Sequence, residues 1–206
     1  MSIRLASQKL VRGPAEHLVR DQIIDAARRN FARDGYAHTT VSDLAREIGY
    51  SKSYIYRFFI SKQAIGEEIC GERLGTILRS VRQRGGEGRT ASQQFRDLFE
   101  SLSNGLANIF FQEHKIFEMM ALAAEERWSV TLRFNRALAI LVRAVIGKGR
   151  ESGEFESETP LQTTPEAILL TMAPFIDLLQ IAQTVAYLPR GRIELENLIL
   201  RSLAPS

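Results

Sequence analysis

Apolar positions recur at helical spacing along almost the whole chain. Within residues 15–34, Ile24, Ala27 and Phe31 fall at i, i+3 and i+7 and form one apolar stripe. This stripe predicts an amphipathic helix that ends at Gly35, a residue type favoured just after a helix. The same periodicity continues downstream, and no strand-like alternation competes with it. The pattern therefore predicts an all-α protein.

Two short helices separated by a tight turn are predicted next. Thr40 is placed to cap a helix over 41–48, and Asp43 stands at the third helical position, where it completes a capping box. Gly49 ends this helix, and Ser51 caps another over 52–59. Two short helices joined by a glycine-containing turn and braced by a longer helix are typical of a helix-turn-helix.

The remaining hydrophobic pattern predicts six further helices and two breaks. The predicted helices cover residues 62–82, 91–111, 113–125, 127–151, 165–187 and 193–203. A glycine-rich break lies at 85–89, and a polar segment at 149–164 is predicted to be a loop. Pro174 is expected to kink the strongly apolar helix over 165–187.

The distribution of charge suggests what the first third of the chain binds. Residues 1–62 carry 11 Lys or Arg and 6 Asp or Glu, whereas residues 63–206 carry 16 and 18. A basic excess confined to one part indicates a nucleic-acid-binding module joined to a part without that role. The polar N-terminus lacks the apolar run of a secretory signal, so a cytoplasmic location is expected.

The composition argues against several other classes of protein. The three histidines are scattered, and the chain contains neither HExxH nor a glycine-rich phosphate loop. We therefore expect no catalytic residues, no metal site and no cofactor, and the chain is not expected to be an enzyme. Cys70 is the only cysteine, which excludes an intramolecular disulfide. No apolar stretch is long enough to cross a bilayer, so no membrane association is expected.

The second short helix has the pattern of a recognition helix. Ile55 and Phe59 lie four residues apart and are expected to pack inward. The residues then left to point outward are polar, aromatic or basic: Lys52, Ser53, Tyr54, Tyr56 and Arg57. Side chains of this kind suit a DNA groove lined with phosphates and base edges.

A set of ordered sequence elements extends from Ile23 to Ile69. In chain order they are Ile24-x-x-Ala27-x-x-x-Phe31-x-x-x-Gly35-Tyr36, Thr39-Thr40-Val41-x-x-Leu44-Ala45, Ile48-Gly49-Tyr50-Ser51, Ile55-Tyr56-Arg57-Phe58-Phe59 and Ser61-Lys62-x-Ala64. With these elements, the stretch closely resembles the DNA-binding region of TetR-family repressors. The resemblance implies a dimeric, ligand-responsive regulator of transcription with an N-terminal three-helix DNA-binding domain and a C-terminal helical ligand-binding and dimerisation domain.

The resemblance also implies roles for individual residues. Thr40 and Lys62 are expected to meet phosphates at the N-termini of their helices. Tyr56 and Arg57 are expected to anchor the DNA backbone. The N-terminal part of a recognition helix reaches deepest into the groove, so the expected base contacts come from Lys52, Ser53 and Tyr54.

Four segments are expected from these patterns. Residues 1–14 form a flexible basic arm, 15–62 the helix-turn-helix domain, 63–84 a connecting helix, and 85–206 the ligand-binding and dimerisation domain. The helix over 165–187 is apolar on nearly every side and must be covered all round, which favours a homodimer over burial within one subunit. Candidate interface residues are Ile168, Met172, Leu179, Gln183, Leu195 and Leu198.

A small, mostly hydrophobic effector is expected to bind among the C-terminal helices. Bulky apolar side chains with occasional polar neighbours suit such a pocket, and the candidates are Phe110, Phe117, Met120, Trp128, Asn135 and Phe175. The favoured function is a repressor released from a palindromic DNA operator by this effector. An activator, or a regulator gated by a protein partner, remains the alternative, and a plain helical bundle without DNA binding is the simplest competing interpretation.

Overall fold

A computed structural model of the chain describes residues 14–84 and 88–205, and in these residues it contains helices and no strands. The helices are α1 (Pro14–Asp34), α2 (Val41–Glu47), α3 (Lys52–Ile55), α4 (Lys62–Arg84), α5 (Ala91–Gln112), α6 (His114–Glu125), α7 (Ser129–Glu151), α8 (Thr164–Ile176), α9 (Ile181–Thr184) and α10 (Arg190–Ser202). A 3₁₀ turn at Val185–Tyr187 follows α9. The all-α prediction is confirmed. The predicted basic arm lies outside the described residues apart from Pro14.

Helices α1 to α3 and the first turns of α4 form a small bundle, called the head below. Ile24 and Phe31 of α1 are buried together with Leu44 of α2 and with Ile55 and Phe59 at the third helix. The buried positions follow the apolar stripe of the sequence. Burial of this stripe fixes the direction in which the polar faces of α2 and α3 point.

The turn between α2 and α3 has the geometry that its sequence requires. Ile48 ends α2, and Gly49 adopts φ of +73°, a conformation that side chains with a Cβ rarely adopt. The Tyr50 N–H then donates to the Ala45 carbonyl oxygen at 2.9 Å, the bond expected of a Schellman motif. This closing bond sets the angle at which α3 leaves α2.

Helix α3 is shorter than the sequence pattern predicts. The helix ends at Ile55, and residues 56–58 form a tight turn in place of the predicted continuation to Phe59. The Arg57 N–H donates to the Tyr54 carbonyl oxygen, an i to i−3 bond that tightens the chain toward 3₁₀ geometry. The tightening still brings Phe59 into the core, where it is buried.

Helices α5 to α10 form a larger bundle, called the body, with α5 at its centre. Helix α5 contacts α4 and each of α6 to α10. A capping box between Thr90 and Gln93 begins α5. The Glu154 carboxylate from the loop after α7 also accepts the Ala91 and Ser92 N–H groups, at 2.8 and 3.1 Å. These bonds lower the pKa of Glu154, although its partial burial acts in the opposite direction.

The predicted single helix over 165–187 is broken, which corrects the expectation of a simple kink. Helix α8 ends at Ile176, Asp177 is extended, and the following Ile181–Tyr187 segment is bent by 61° relative to α8. Pro174 has no N–H and cannot continue the helical bonding pattern. The Asp177 carboxylate accepts the Leu179 N–H at 2.9 Å, and the Thr184 hydroxyl donates to the Pro174 carbonyl oxygen. These bonds stabilise the break.

By length and hydropathy, no single described helix qualifies as a membrane span, whereas α8 and the bent Ile181–Tyr187 segment taken together do.

Candidate nucleic-acid interface

The entrance to α2 is built around Thr40. Its hydroxyl oxygen accepts the Asp43 N–H at 3.2 Å, and the Asp43 carboxylate accepts the Thr40 N–H at 3.0 Å. The Thr40 hydroxyl also donates to this carboxylate at 2.6 Å, and the hydrogen bonds from Thr40 lower the pKa of Asp43. Thr40 is exposed, as the predicted phosphate contact requires, but its hydroxyl hydrogen is already used within the protein.

Helix α3 presents an exposed polar face beside a buried one. The Ser51 hydroxyl oxygen caps α3 by accepting the Tyr54 N–H at 3.1 Å. Ile55 is fully buried. Four of the DNA contacts predicted on and just after α3 are exposed: Lys52, Ser53, Tyr56 and Arg57. The structure thus brings these four side chains together on one surface, called the recognition surface below.

Tyr54 lies at the centre of an aromatic cluster beside the recognition surface. The centroid of the Tyr54 ring is 4.9 Å from that of Tyr50 and 5.4 Å from that of Phe58. The Arg57 guanidinium carbon lies 5.3 Å from the Tyr54 centroid. Tyr54 is therefore half-buried rather than projecting freely. Arg57 and Tyr54 hold each other in place by a cation–π contact.

The recognition surface lies in a stretch of chain that carries only positive charge. No Asp or Glu occurs between Glu47 and Glu67, a stretch that includes Lys52, Arg57 and Lys62. Two acids of α2 are engaged in ion pairs, Asp43 with Arg46 and Glu47 with Arg29. The local field therefore favours a polyanion at α3.

Lys62 has partners inside the protein that sequence reasoning did not anticipate. Its Nζ donates to the carbonyl oxygens of Tyr36 at 2.9 Å and Thr39 at 3.1 Å. The same nitrogen lies 4.2 Å from the centroid of the Tyr36 ring, and partial burial lowers the pKa of Lys62. Lys62 ties α4 to the loop that precedes α2, and one N–H of its ammonium group is left for the predicted phosphate contact.

The candidate effector residues lie away from the main clefts of the structure. Among residues 14–84 and 88–205, five main clefts are not lined by Phe110, Phe117, Met120, Trp128, Asn135 or Phe175. Phe117, Met120 and Phe175 are buried among other core side chains, and the Phe110 ring packs edge-on against Phe117 at 5.1 Å. Asn135 is exposed on α7. The aromatic side chains therefore fill the core of the body in this structure.

Trp128 lies between the head and the body rather than in a pocket. Its ring centroid is 5.4 Å from that of Tyr36, and its Nε1–H donates to Glu126 at 2.7 Å. A Cβ added to Gly66 of α4 would lie 2.9 Å from a ring carbon of Trp128. We call Tyr36, Lys62, Gly66 and Trp128 the head–body joint. The glycine inside α4 was the available sequence signal, because an interior helical glycine often marks a close approach.

The predicted dimer residues divide into two groups in the structure. Ile168 and Met172 are buried within the chain, so they offer little surface to a partner. Leu179, Gln183 and Leu198 are exposed, and Leu195 is half-buried. The sequence pattern failed at α8 because every side of that helix is apolar, so the periodicity could not distinguish its inward face.

The exposed apolar surface also includes Leu170, which is not among the candidate interface residues. Leu170 on α8 is 76% exposed, compared with 60% for Leu198 on α10 and 49% for Leu179. Contiguous exposed apolar surface is typical of a contact surface, and α8 packs against α10. In the part of the chain that is described, no three His, Cys, Asp or Glu side chains are arranged to hold a metal ion.

Comparison with known families matches both halves of the chain. Residues 23–69 match the model of bacterial regulatory proteins of the tetR family. Residues 91–190 match the model of the tetracyclin repressor-like C-terminal domain. The first match contains α2, the turn and α3, and therefore the recognition surface.

Individual relatives and solved structures agree with these matches. The HTH-type transcriptional regulator YfiR of Bacillus subtilis is 26% identical to this chain, in a match that covers 72% of this chain and 73% of YfiR. YhgD of the same organism is 28% identical, in a match that covers 75% of this chain and 81% of YhgD. The fatty acid degradation regulator FadR of Bacillus halodurans superposes with a TM-score of 0.64 at 23% identity, covering 92% of this chain and 96% of that one. SmeT in its triclosan complex superposes with a TM-score of 0.65 at 16% identity, covering 92% of this chain and 93% of SmeT. These two structures share the fold.

Proposed function

The chain belongs to the TetR family of DNA-binding transcriptional regulators, and we propose that it is a homodimeric repressor released from a palindromic operator by a small effector. One observation carries the DNA-binding half of this proposal. Helix α3 buries Ile55 and exposes Lys52 and Ser53, and the turn after it exposes Arg57, in a stretch of chain free of acids. A short helix of this kind fits the major groove of duplex DNA.

The roles of the recognition surface follow from position and chemistry. Lys52 and Ser53 lie in the first turn of α3, so they are assigned to base edges, and Lys52 is able to donate to the acceptors of guanine. Tyr56 and Arg57 follow α3 and are assigned to the DNA backbone. The aromatic cluster around Tyr54 favours a supporting role for Tyr54, with only its half-exposed edge available to the groove.

Homodimerisation would cover the exposed apolar side chains of the body. Leu170, Leu179 and Leu198 are large and exposed, and they lie on α8, just after it, and on α10. Association of two copies through this surface removes it from water, which is the main driving force of most protein association. A two-fold dimer would then place its two heads on half-sites about 34 Å apart, one turn of DNA.

The head–body joint offers a route from an effector to the recognition surface. Helix α4 contacts α1 in the head and α5, α6 and α7 in the body, and its first residue, Lys62, holds the loop before α2. A change in the tilt of α4 would alter the separation of the two heads. An effector achieves this only if it binds the two arrangements with different affinity.

The repressor assignment follows the names of similar proteins. IcaR of Staphylococcus aureus, 33% identical over 85 residues, carries the name of a negative transcriptional regulator. SmeT was solved with triclosan, a small molecule. By similarity, repression and release by a small molecule are proposed for this chain.

Selection of DNA from a random pool by the purified protein tests the proposal. We expect a palindromic sequence whose half-sites lie about one turn apart. The recovered duplex is then placed upstream of a reporter gene in a host without other copies of the regulator. Lower reporter output on expression of the protein supports repression, whereas higher output identifies an activator. Failure to enrich any sequence would reject specific DNA binding.

A further inference from the structure

A solvent-accessible cleft of about 530 Å³ lies between α4 and α5 in the body. Ser80 and Arg84 of α4 lie at one end of it with Ser101 of α5, while Arg73 lies at the other end. Ile77 packs over Gly105 in the middle, where an added Cβ would be 2.8 Å from Ile77. The cleft therefore has two polar ends and an apolar middle.

Ser101 gives the cleft an unusual polar atom. The residue is only 6% exposed, and its hydroxyl oxygen has no hydrogen-bond partner within residues 14–84 and 88–205. A serine inside a helix commonly donates to the carbonyl oxygen four residues earlier, but Ser101 does not. Buried hydroxyl groups in proteins nearly always have a partner, so the wall of the cleft offers an unused hydrogen-bonding group.

The opposite end of the cleft has a second such atom. The Nε–H of Arg73 is buried and likewise lacks a partner among the residues described, although its Nη2 pairs with Glu113 at 2.6 Å. Arg84 uses Nη1 to contact Glu100 at 3.2 Å, which leaves its other N–H groups for a ligand. The exposed amide of Asn108 adds further donors beside Arg73.

The chemistry of the lining selects the kind of occupant. Among residues 14–84 and 88–205, Glu113 is the one acid that lines the cleft, and it pairs with Arg73, while Arg84 pairs with Glu100 beside the cleft; the lining therefore has an excess of N–H donors rather than of charge. A complementary ligand carries acceptor oxygens, and carboxylate oxygens accept most strongly from guanidinium groups. The apolar middle around Ile77 calls for an aliphatic segment between them, and the volume lies within the range of small-molecule sites.

We propose that the cleft between α4 and α5 binds a small organic acid with acceptor oxygens at both ends. One carboxylate is held by Ser80, Ser101 and Arg84, the aliphatic segment lies over Ile77, and the far oxygens accept from Arg73 and Asn108. That this acid acts as the effector rests on the proposed function, because α4 leads from the cleft to the head–body joint. Binding itself does not depend on that function.

Thermal unfolding of the purified full chain with defined probes tests the site. The probes are the straight-chain dicarboxylates from succinate to sebacate, each compared with the monocarboxylate and the diamide of equal length. We expect at least one dicarboxylate to raise the melting temperature most, its monocarboxylate less, and its diamide not at all, because a ligand of the native state raises stability. If no acid exceeds its amide, the proposal is overturned.

Variants separate the proposed site from nonspecific binding of acids. Ser101→Ala removes a hydroxyl that has no partner among the described residues, so the fold is expected to keep its hydrogen bonds. Affinity for the dicarboxylate is expected to fall about tenfold, the loss expected of one hydrogen bond to a charged group. Arg84→Gln is expected to weaken binding, whereas Arg82→Gln, which borders a different cleft, is the matched control. Equal affinity in all three variants would refute the assignment.

Release of the selected operator by the same dicarboxylate is measured separately. Binding to the cleft with release of DNA supports both the site and its role as the effector site. If the dicarboxylate binds, and binds more weakly to Ser101→Ala, but leaves operator affinity unchanged, the site is upheld and the effector role is rejected. The two failures are thus distinguishable.

Discussion

The head–body joint allows the effect of a single methyl group on stability to be worked out in advance. A Cβ at Gly66 would lie 2.9 Å and 3.2 Å from two ring carbons of Trp128, and 3.2 Å from a ring carbon of Tyr36. Real Cβ atoms essentially never approach other atoms more closely than 3.0 Å. Trp128 is buried and its Nε1–H is bonded to Glu126, so the ring cannot move away without losing contacts.

Gly66→Ala therefore gains stability from helix propensity and loses stability from overpacking. Alanine is favoured over glycine inside a helix by about 1 kcal/mol. Overpacking a core by one methyl group costs about 1–3 kcal/mol. The net result expected for Gly66→Ala is a loss of roughly 0–2 kcal/mol of unfolding free energy, with a shift in Trp128 fluorescence.

Gly71→Ala in the same helix is the matched control. Its added Cβ would meet only Val130, at 3.6 Å, an ordinary van der Waals distance. This variant gains the helix propensity without the overpacking and is expected to be about 1 kcal/mol more stable than the parent chain. The difference between the two variants isolates the overpacking, at about 1–3 kcal/mol.

Urea unfolding at one fixed protein concentration measures the unfolding free energy of both variants. The emission of Trp128, the single tryptophan, reports directly on the head–body joint. If Gly66→Ala proves as stable as Gly71→Ala, with unchanged Trp128 emission, the close packing described for the joint is wrong. If stability falls as expected, operator affinity measured on the same samples shows whether the joint also sets the fit of the head to DNA.

Three further outcomes are expected. Lys62→Met is expected to lower operator affinity for all sequences alike, and to lower the melting temperature because two carbonyl groups lose their donor. Lys52→Ala is expected to change the preference at particular base pairs without a loss of stability, and binding to a panel of single-base operator variants distinguishes the two variants. Burial raises the pKa of Cys70 to about 12, so its thiol is expected to resist a disulfide reagent at pH 8 until the protein unfolds, and rapid labelling of the native protein would contradict its position. Glu196→Ala is expected to destabilise the body by about 3–5 kcal/mol because it leaves buried Arg192 unpaired. Combining Arg192→Met with Glu196→Leu is expected to restore most of this stability, and urea unfolding of both variants checks the prediction.

The head was predictable because each of its signals is local. Thr40 with Asp43, Gly49, and Ser51 define caps and a turn within a few residues, and the structure has each of them. Local hydrogen bonding decides such features, and it can be determined from sequence. The exposed and buried faces of α3 followed from the same short-range pattern.

The body could be predicted only in outline, because its assignments depend on which helices meet. Trp128 was expected in a pocket, since nothing in its own neighbourhood indicates that Tyr36 lies against it. Met172 was expected at a subunit interface because α8 is apolar on every side, yet it is buried within the chain. Lys62 was assigned to a phosphate, and its carbonyl partners come from a loop more than 20 residues earlier.

The most direct test of DNA binding by the recognition surface is the dependence of operator affinity on salt. Fluorescence anisotropy with the selected duplex is measured at a series of salt concentrations for the parent chain and for Arg57→Ala. Log affinity is expected to fall linearly with log salt, and the slope is expected to be smaller in Arg57→Ala by about two, one phosphate for each head of a dimer. Binding that is insensitive to salt, or an identical slope for the two proteins, would contradict the assignment of this surface to DNA.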